Sequence, residues 1–112
     1  MAFTTATVTN VTRSKQQFQG IFNEMWVANV VANPDSIAAA AETTGSYTIP
    51  GVALGDMVLG YSAGVDLTAD AQVQVYVSAA NTVVIRITNL HASSALDLAS
   101  STWKILIGRP NW

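Results

Sequence analysis

The sequence predicts an antiparallel all-β domain, and three observations support that prediction. Short runs of alternating apolar and polar residues recur along the chain, turn signals separate them, and no clear helix of ordinary length interrupts them. We expect an antiparallel β-sandwich of jelly-roll-like form. Residues 1–20 are interpreted as an extended N-terminal arm, and residues 21–112 as the sandwich domain.

The N-terminal segment is the most polar part of the pattern. Residues 3–11 alternate threonine with apolar residues, which is typical of a strand or an extended chain. Residues 12–20 are polar and hold Arg13 and Lys15, two of the five basic residues. We expect an arm that orders against a partner, with Arg13 and Lys15 docking on acidic groups, and a solvated loop is the alternative.

Residues 21–32 are rich in valine and aromatic side chains and predict a strand. One side of that strand would carry Phe22, Trp26 and Val30, and the other side would carry Met25, Val27 and Val31. Both sides are largely apolar, as expected for a central strand or for one covered by a neighbouring subunit. A helix is the alternative, because several of these residues also fit a period of 3.6.

Turn signals divide the middle of the chain. Residues 33–36 (Asn-Pro-Asp-Ser) predict a turn. Residues 37–41 contain four consecutive alanines but are too short for an isolated helix, so one short turn and an extended segment are both possible. Residues 46–49 form a predicted strand that Pro50-Gly51 ends. Gly55-Asp56 predicts a second turn, and residues 57–62 a further strand with Gly60 at a bulge.

The clearest local feature is a β-hairpin over residues 72–89. Valines 73, 75 and 77 alternate with polar residues, the short tip holds Asn81, and Val83, Ile85 and Ile87 alternate in the returning strand. A loop of small polar residues follows, with Leu96 and Leu98 predicted to point inward. Trp103, Ile105 and Ile107 predict the last strand, which Gly108 and Pro110 should end.

Composition favours association. Charged residues make up 11% of the 112 residues, against about 25% in an average protein, while apolar residues make up 50%. A chain this small cannot bury all of its apolar residues, so we expect other molecules to cover part of its surface. A neutral surface of serine, threonine, asparagine and glutamine is the alternative. No basic patch or basic helix indicates a nucleic-acid or membrane partner, and we recognise no signal peptide.

No motif predicts an enzyme or a cofactor. His91 is the one histidine, and no nucleophile-elbow pattern surrounds any serine. The pair Asp66 and Asp70 is the sole candidate metal ligand set, and it lacks the glycine and carboxylate density of a calcium loop, so we interpret it as a turn with aspartate caps. Five aromatic residues could line a sugar-binding face, although such residues more often fill a core or an interface. They are Trp26, Tyr47, Tyr61, Tyr76 and Trp103.

Three blocks resemble small structural proteins of tailed-bacteriophage virions. These blocks are Tyr47-Thr48-Ile49-Pro50-Gly51-Val52-Ala53-Leu54-Gly55-Asp56-Met57-Val58, the hairpin from Val75 to Asn89, and Leu96-Asp97-Leu98-Ala99-Ser100-Ser101-Thr102-Trp103-Lys104-Ile105. The similarity covers about residues 36–107, and the chain looks like capsid decoration (cement) or head-structural proteins. This resemblance also favours an extended conformation for residues 37–41. Related blocks also occur in fibre-like virion proteins.

The resemblance implies a β-sandwich that is made in the host cytoplasm and located on the virion. There it would bind the outer surface of the major capsid protein lattice, as a homotrimer by analogy with other cement proteins, and stabilise the head. A fibre or adhesin-like module that binds host glycan is the alternative. The residues that we expect at interfaces are Phe3, Arg13, Lys15, Phe18, Trp26 and Trp112. For Trp112, a frayed chain end is the alternative.

Overall fold

A computed structural model of the protein describes residues 3–14 and 21–111, and these residues contain seven strands and no helix. The strands are β1 (Phe3–Ser14), β2 (Phe22–Pro34), β3 (Glu42–Thr48), β4 (Met57–Ser62), β5 (Ala71–Ala79), β6 (Thr82–Asn89) and β7 (Ser101–Pro110). The prediction of an all-β chain is therefore confirmed.

The strands form two antiparallel sheets. One has four strands in the order β1-β2-β7-β4, and the other has three in the order β3-β6-β5. Every pair within a sheet is antiparallel. This two-sheet arrangement agrees with the expected sandwich architecture, whereas the jelly-roll form stays a prediction.

The core lies between the sheets and follows the period-2 alternation of the strands. The four-stranded sheet contributes Trp26, Val30, Trp103, Ile105 and Ile107, and the three-stranded sheet contributes Tyr47, Val83, Ile85 and Ile87, all buried. Burying one such large side chain contributes about 1.5–3 kcal/mol relative to leaving it in water. The inward alternation predicted for the hairpin and for the last strand is confirmed by this core.

Strand β2 confirms the prediction of a strand over residues 21–32, and the alternative prediction of a helix there is wrong. It is central in its sheet, paired with β1 on one side and β7 on the other, so its backbone groups are satisfied along both edges. The pairing is irregular between Phe22 and Glu24. Phe22 therefore leaves the side predicted for it and packs over the outer face, where a Cβ on Gly108 would lie 2.8 Å from its ring.

Phe3–Ser14, which we expected within an N-terminal arm, form the edge strand β1. This strand pairs with β2 from Pro34 back to Met25. Its first residue is buried between the sheets, where the Phe3 ring meets Tyr47 edge to face with centroids 6.4 Å apart. Gly45 makes room for that ring, because a Cβ there would lie 2.5 Å from it. This part of the chain thus belongs to the sandwich, while residues 15–20 lie outside the described ranges.

The backbone confirms the turns predicted at Pro50-Gly51, at Gly55-Asp56 and at the hairpin tip. The turn predicted at residues 33–36 is wrong, because Asn33 and Pro34 continue strand β2 and pair with β1. Gly51 and Gly55 have φ of 94° and 98°, and Asn81 at the hairpin tip has φ of 61°, so all three occupy the left-handed region. Strand β4 carries its register shift at Gly60, as expected for a bulge.

The alanine-rich segment is extended only at its start, where Ile37 forms an isolated antiparallel bridge with Leu96. A turn follows, in which the Ala41 N–H donates to the Ala38 carbonyl at 3.1 Å and Ala40 has a φ of 56°.

Candidate interaction surfaces

Part of the outer face of the four-stranded sheet is apolar, next to the exposed Lys104 of β7. Its register places Met25, Gly108 and Met57 in one row across the sheet, and Val27, Leu106 and Gly60 in the next. With Phe22 and Leu59, these rows form a surface that we call the outer apolar patch; its side chains are Phe22, Met25, Val27, Met57, Leu59 and Leu106. Four of the six, Val27, Met57, Leu59 and Leu106, are 37–43% exposed.

Two glycines shape this patch. Gly108 lacks a side chain, so Phe22 and Leu59 both pack over its backbone; a Cβ there would lie 2.8 Å and 3.1 Å from them. Gly60 has open space where its side chain would be. A shallow depression of about 240 Å³ lies beside it, lined by residues that include Val27 and Leu106. The patch is therefore uneven, with a raised aromatic part and a hollow.

The outer face of the three-stranded sheet is polar by contrast. Arg86 projects from the central strand β6 and donates a hydrogen bond of 3.0 Å to the Tyr76 hydroxyl, with its guanidinium also lying 5.4 Å from the Tyr76 ring centre. It also donates to Gln74 Oε1 at 3.4 Å and lies 3.8 Å from Glu42. In these contacts, polar side chains of this face bind one another within the same chain.

Two arginines flank Trp26 near one end of the sandwich. The guanidinium carbons of Arg13 and Arg109 each lie 5.2 Å from the ring centre, a cation–π distance. Glu24, with its side chain 8% exposed, forms an ion pair with Arg13 and lies 4.0 Å from Arg109. The Trp26 indole N–H donates to the carbonyl of Pro50 at 3.1 Å. This cluster joins strands β1, β2 and β7 to the turn after β3.

Arg109 also anchors the loop between β3 and β4. Its Nε and one terminal nitrogen donate to both carboxylate oxygens of Asp56 at 2.9 Å, and the terminal nitrogen reaches the Gly51 carbonyl at 2.8 Å. The hydrogen bond to the Asp56 carboxylate raises the pKa of Arg109. Asp56 itself accepts the backbone N–H of Ala53. A bidentate pair of this kind fixes geometry as well as contributing energy.

The interface residues expected from the sequence fall into three groups. Phe3 and Trp26 are buried within the chain itself, which leaves almost no surface for a partner to contact. Arg13 is partly exposed but already paired with Glu24. Lys15, Phe18 and Trp112 lie outside the described residues. The exposed apolar surface is instead supplied by residues that sequence reasoning did not single out as interface residues, and the signal for them was the apolar character of both sides of β2.

The candidate catalytic and metal-binding residues serve local structure. His91 Nδ1 accepts the backbone N–H groups of Ser93 and Ser94 at 3.0 and 2.9 Å. Asp66 accepts the N–H of Thr68 at 2.9 Å, which confirms the predicted aspartate-capped turn. Within residues 3–14 and 21–111, no three histidine, aspartate or glutamate side chains come together as a metal-ligand group.

The aromatic residues considered for sugar binding are mostly internal. Trp26, Tyr47 and Trp103 are at most 1% exposed. Tyr61 is 42% exposed, but its ring stacks on Trp103 with centroids 5.9 Å apart. The tryptophans of the described residues therefore form core, and no aromatic face made from them reaches the surface.

Nothing in the described ranges forms a helix of the length and apolarity needed to cross a membrane. Comparisons of this chain with protein-family models, with curated proteins and with solved structures find no match.

Proposed function

We propose that this chain is a structural protein of a tailed-phage virion, a decoration protein that binds the outer surface of the major capsid protein lattice. In this proposal the outer apolar patch is the surface that meets the capsid. The sequence blocks that resemble phage decoration proteins support the choice of partner. The patch supports the choice of surface, and it is the single observation on which the proposal rests most.

The patch has the chemistry of a protein-binding surface. Interface cores are depleted in charged residues and enriched in aromatic residues and methionine. The patch contains Phe22, Met25 and Met57 and no charged side chain. Exposed contiguous apolar surface of this kind is uncommon on a monomer unless it binds something.

Binding at many equivalent positions suits a small patch. A capsid offers the same site many times, so copies that are joined to one another bind with an avidity above that of a single contact. Phe22 and Leu59 already pack over the backbone of Gly108, which lowers the entropic cost of ordering these two side chains on docking. A weak contact per copy can then be sufficient.

A glycan-binding fibre module is the second candidate, and it receives less support. It would use exposed aromatic rings, whereas Trp26 and Trp103 are buried. Binding to a glycan array, with no binding to capsids, would favour this candidate over the decoration protein.

The test uses heads assembled from the major capsid protein that is encoded in the same genome as this chain. We expect the purified chain to co-sediment with expanded heads, and we expect the double substitution Val27→Asp with Leu106→Asp to abolish co-sedimentation, because two carboxylates would have to be desolvated at the contact. The matched control is Ser46→Asp with Thr48→Asp, which adds the same charge to exposed positions of β3 on the polar face.

Circular dichroism and thermal unfolding of all three proteins establish that each variant is folded. A wild-type chain that never co-migrates with heads would contradict the proposed function. Equal loss of binding in the control pair would contradict the assignment of the patch.

A further inference from the structure

We infer that two copies of this chain pair through the free edge of β5, antiparallel about a two-fold axis at Val75, to make one continuous six-stranded sheet. Three features of the strand support this pairing: an edge without charge or proline, incompletely covered valines, and a symmetric arrangement of those valines about Val75. The inference does not depend on capsid binding.

The β5 edge lacks the usual protection of sheet edges. Natural edge strands are blunted by charged residues, proline, bulges or short length. β5 has nine residues, Ala71–Ala79, with neither a charge nor a proline. Its pairing with β6 is regular from Ala71 to Val77, and its one register shift lies at the end of the strand, between Val77 and Ala79. Its other edge pairs with no strand of the described chain.

The other long edge is less suited to pairing. Strand β1 is twelve residues long, but its register is interrupted twice, between Phe3 and Thr5 and between Val8 and Asn10. Strand β4 has only six residues and a bulge before Gly60. Strand β3, the other edge of the same sheet, has seven residues and carries the charged Glu42. Because β1 carries Arg13, β5 is the longest edge strand of the described chain without a charged residue.

The core-facing side of β5 is only partly covered by its own chain. Val73, Val75 and Val77 pack against the hydrophobic core but are only half-buried, whereas Val83 and Ile85, their neighbours in β6, are fully buried. A strand added beside β5 would place side chains directly against these valines, and cross-strand pairs of β-branched residues stabilise a sheet.

The β5 sequence fits a second copy of itself. About Val75, the inward-facing residues read the same in both directions, with Val73 matching Val77, and the register shift between Val77 and Ala79 ends this symmetry. Antiparallel pairing about that centre would put valine opposite valine on the inner face. On the outer face, Gln74 would lie opposite Tyr76, and no like charges would meet. A two-fold interface requires self-complementarity of this kind.

This pairing differs from the homotrimer that the family resemblance implies. Each chain has one β5 edge, so a two-fold pairing there closes at two copies. The outer apolar patch lies on the other sheet and would stay free for a different partner. A dimer with a free patch would present two such patches on one particle.

The test combines solution mass with register-specific crosslinking. Sedimentation equilibrium of the full chain should give twice the mass of one chain. Because the chain contains no cysteine, single Cys substitutions report their own contacts only. Under mild oxidation, Val75→Cys should form a covalent dimer, since residue 75 pairs with itself. Ser100→Cys, in an exposed loop, is the matched control and should stay uncrosslinked.

A second pair of variants uses outward-facing positions that should not disturb the core. Mixed Gln74→Cys and Tyr76→Cys proteins should crosslink to each other, and each alone should crosslink far less, because residue 74 faces residue 76 of the other copy. A mass of one or three chains would overturn the inference. So would crosslinking of Val75→Cys no faster than that of Ser100→Cys.

Discussion

In both sheets, alternate residues of each strand point outward to solvent. The two sheets differ in the chemistry of these outward side chains. On the three-stranded sheet, the central strand β6 turns Arg86 outward, and Gln74, Tyr76 and Glu42 surround it with polar contacts. On the four-stranded sheet, the equivalent outward position of the central strand β7 is Leu106, which is 37% exposed.

The difference shows where the unusual composition of the chain is located. Charged residues make up 11% of the chain, and these few residues are not spread evenly over the surface. Their distribution leaves one face with a polar network and gathers apolar side chains on part of the opposite face, beside the exposed Lys104. A domain that needed only to fold would gain little from these exposed apolar side chains, because the buried core lies between the sheets.

The largest expected effect tests whether the outer apolar patch is surface or core. Ile105 and Leu106 are adjacent in β7 and point to opposite sides, with exposures of 0% and 37%. We expect Ile105→Ala to lower the free energy of unfolding by about 2–5 kcal/mol, because it leaves a cavity. Leu106→Ala should lower it by about 1 kcal/mol or less. Urea denaturation at low protein concentration measures both values, and equal losses would mean that the patch is covered in the isolated protein.

An effect of intermediate size on stability is expected to distinguish Arg109, in the cluster around Trp26, from Arg86, on the polar outer face. Arg109→Gln should lower the free energy of unfolding by about 1–3 kcal/mol, because it leaves the Asp56 carboxylate, only 4% exposed, without its cation. Arg86→Gln is the matched control, and there a loss of about 1 kcal/mol or less is expected, since its partner Glu42 is 56% exposed. A reversed order would show that the polar face, and not the Arg109 cluster, holds the sandwich together.

The smallest expected effect on stability at neutral pH concerns Tyr47, whose side chain lies on the inner side of the three-stranded sheet. Tyr47 is buried, its hydroxyl has no hydrogen-bond partner among the described residues, and burial raises the pKa of its phenol. Tyr47→Phe should therefore change the free energy of unfolding by only about 1 kcal/mol near pH 7, in either direction.

The pH dependence gives that substitution its distinct signature. Above a pH of about 10 the unfolded chain loses the Tyr47 proton, while the folded chain keeps it. The wild-type chain is therefore expected to lose stability as the pH rises through the alkaline range, and Tyr47→Phe should reduce that loss. Thermal unfolding between neutral and alkaline pH compares the two proteins, and parallel curves would refute the assignment.

Much of the fold could be predicted because it depends on short-range pattern. The hairpin around Asn81, the turns at Gly51 and Gly55, and the bulge at Gly60 all follow from local backbone preferences. The candidate surface could be predicted only in part. The sequence indicated that both sides of β2 are apolar, but it did not indicate that Phe22 changes side or that Trp26 is enclosed between two arginines.

Taken alone, the sequence determined the period of each strand, the positions of most turns and the scarcity of charge. Tertiary structure decided which strands became neighbours, so that residues as distant as Val27, Met57 and Leu106 share one face. It also decided that β1 joins a sheet and that β5 ends one. The physical reason is that alternation is encoded by residues two apart, whereas sheet order depends on contacts between strands far apart in the chain.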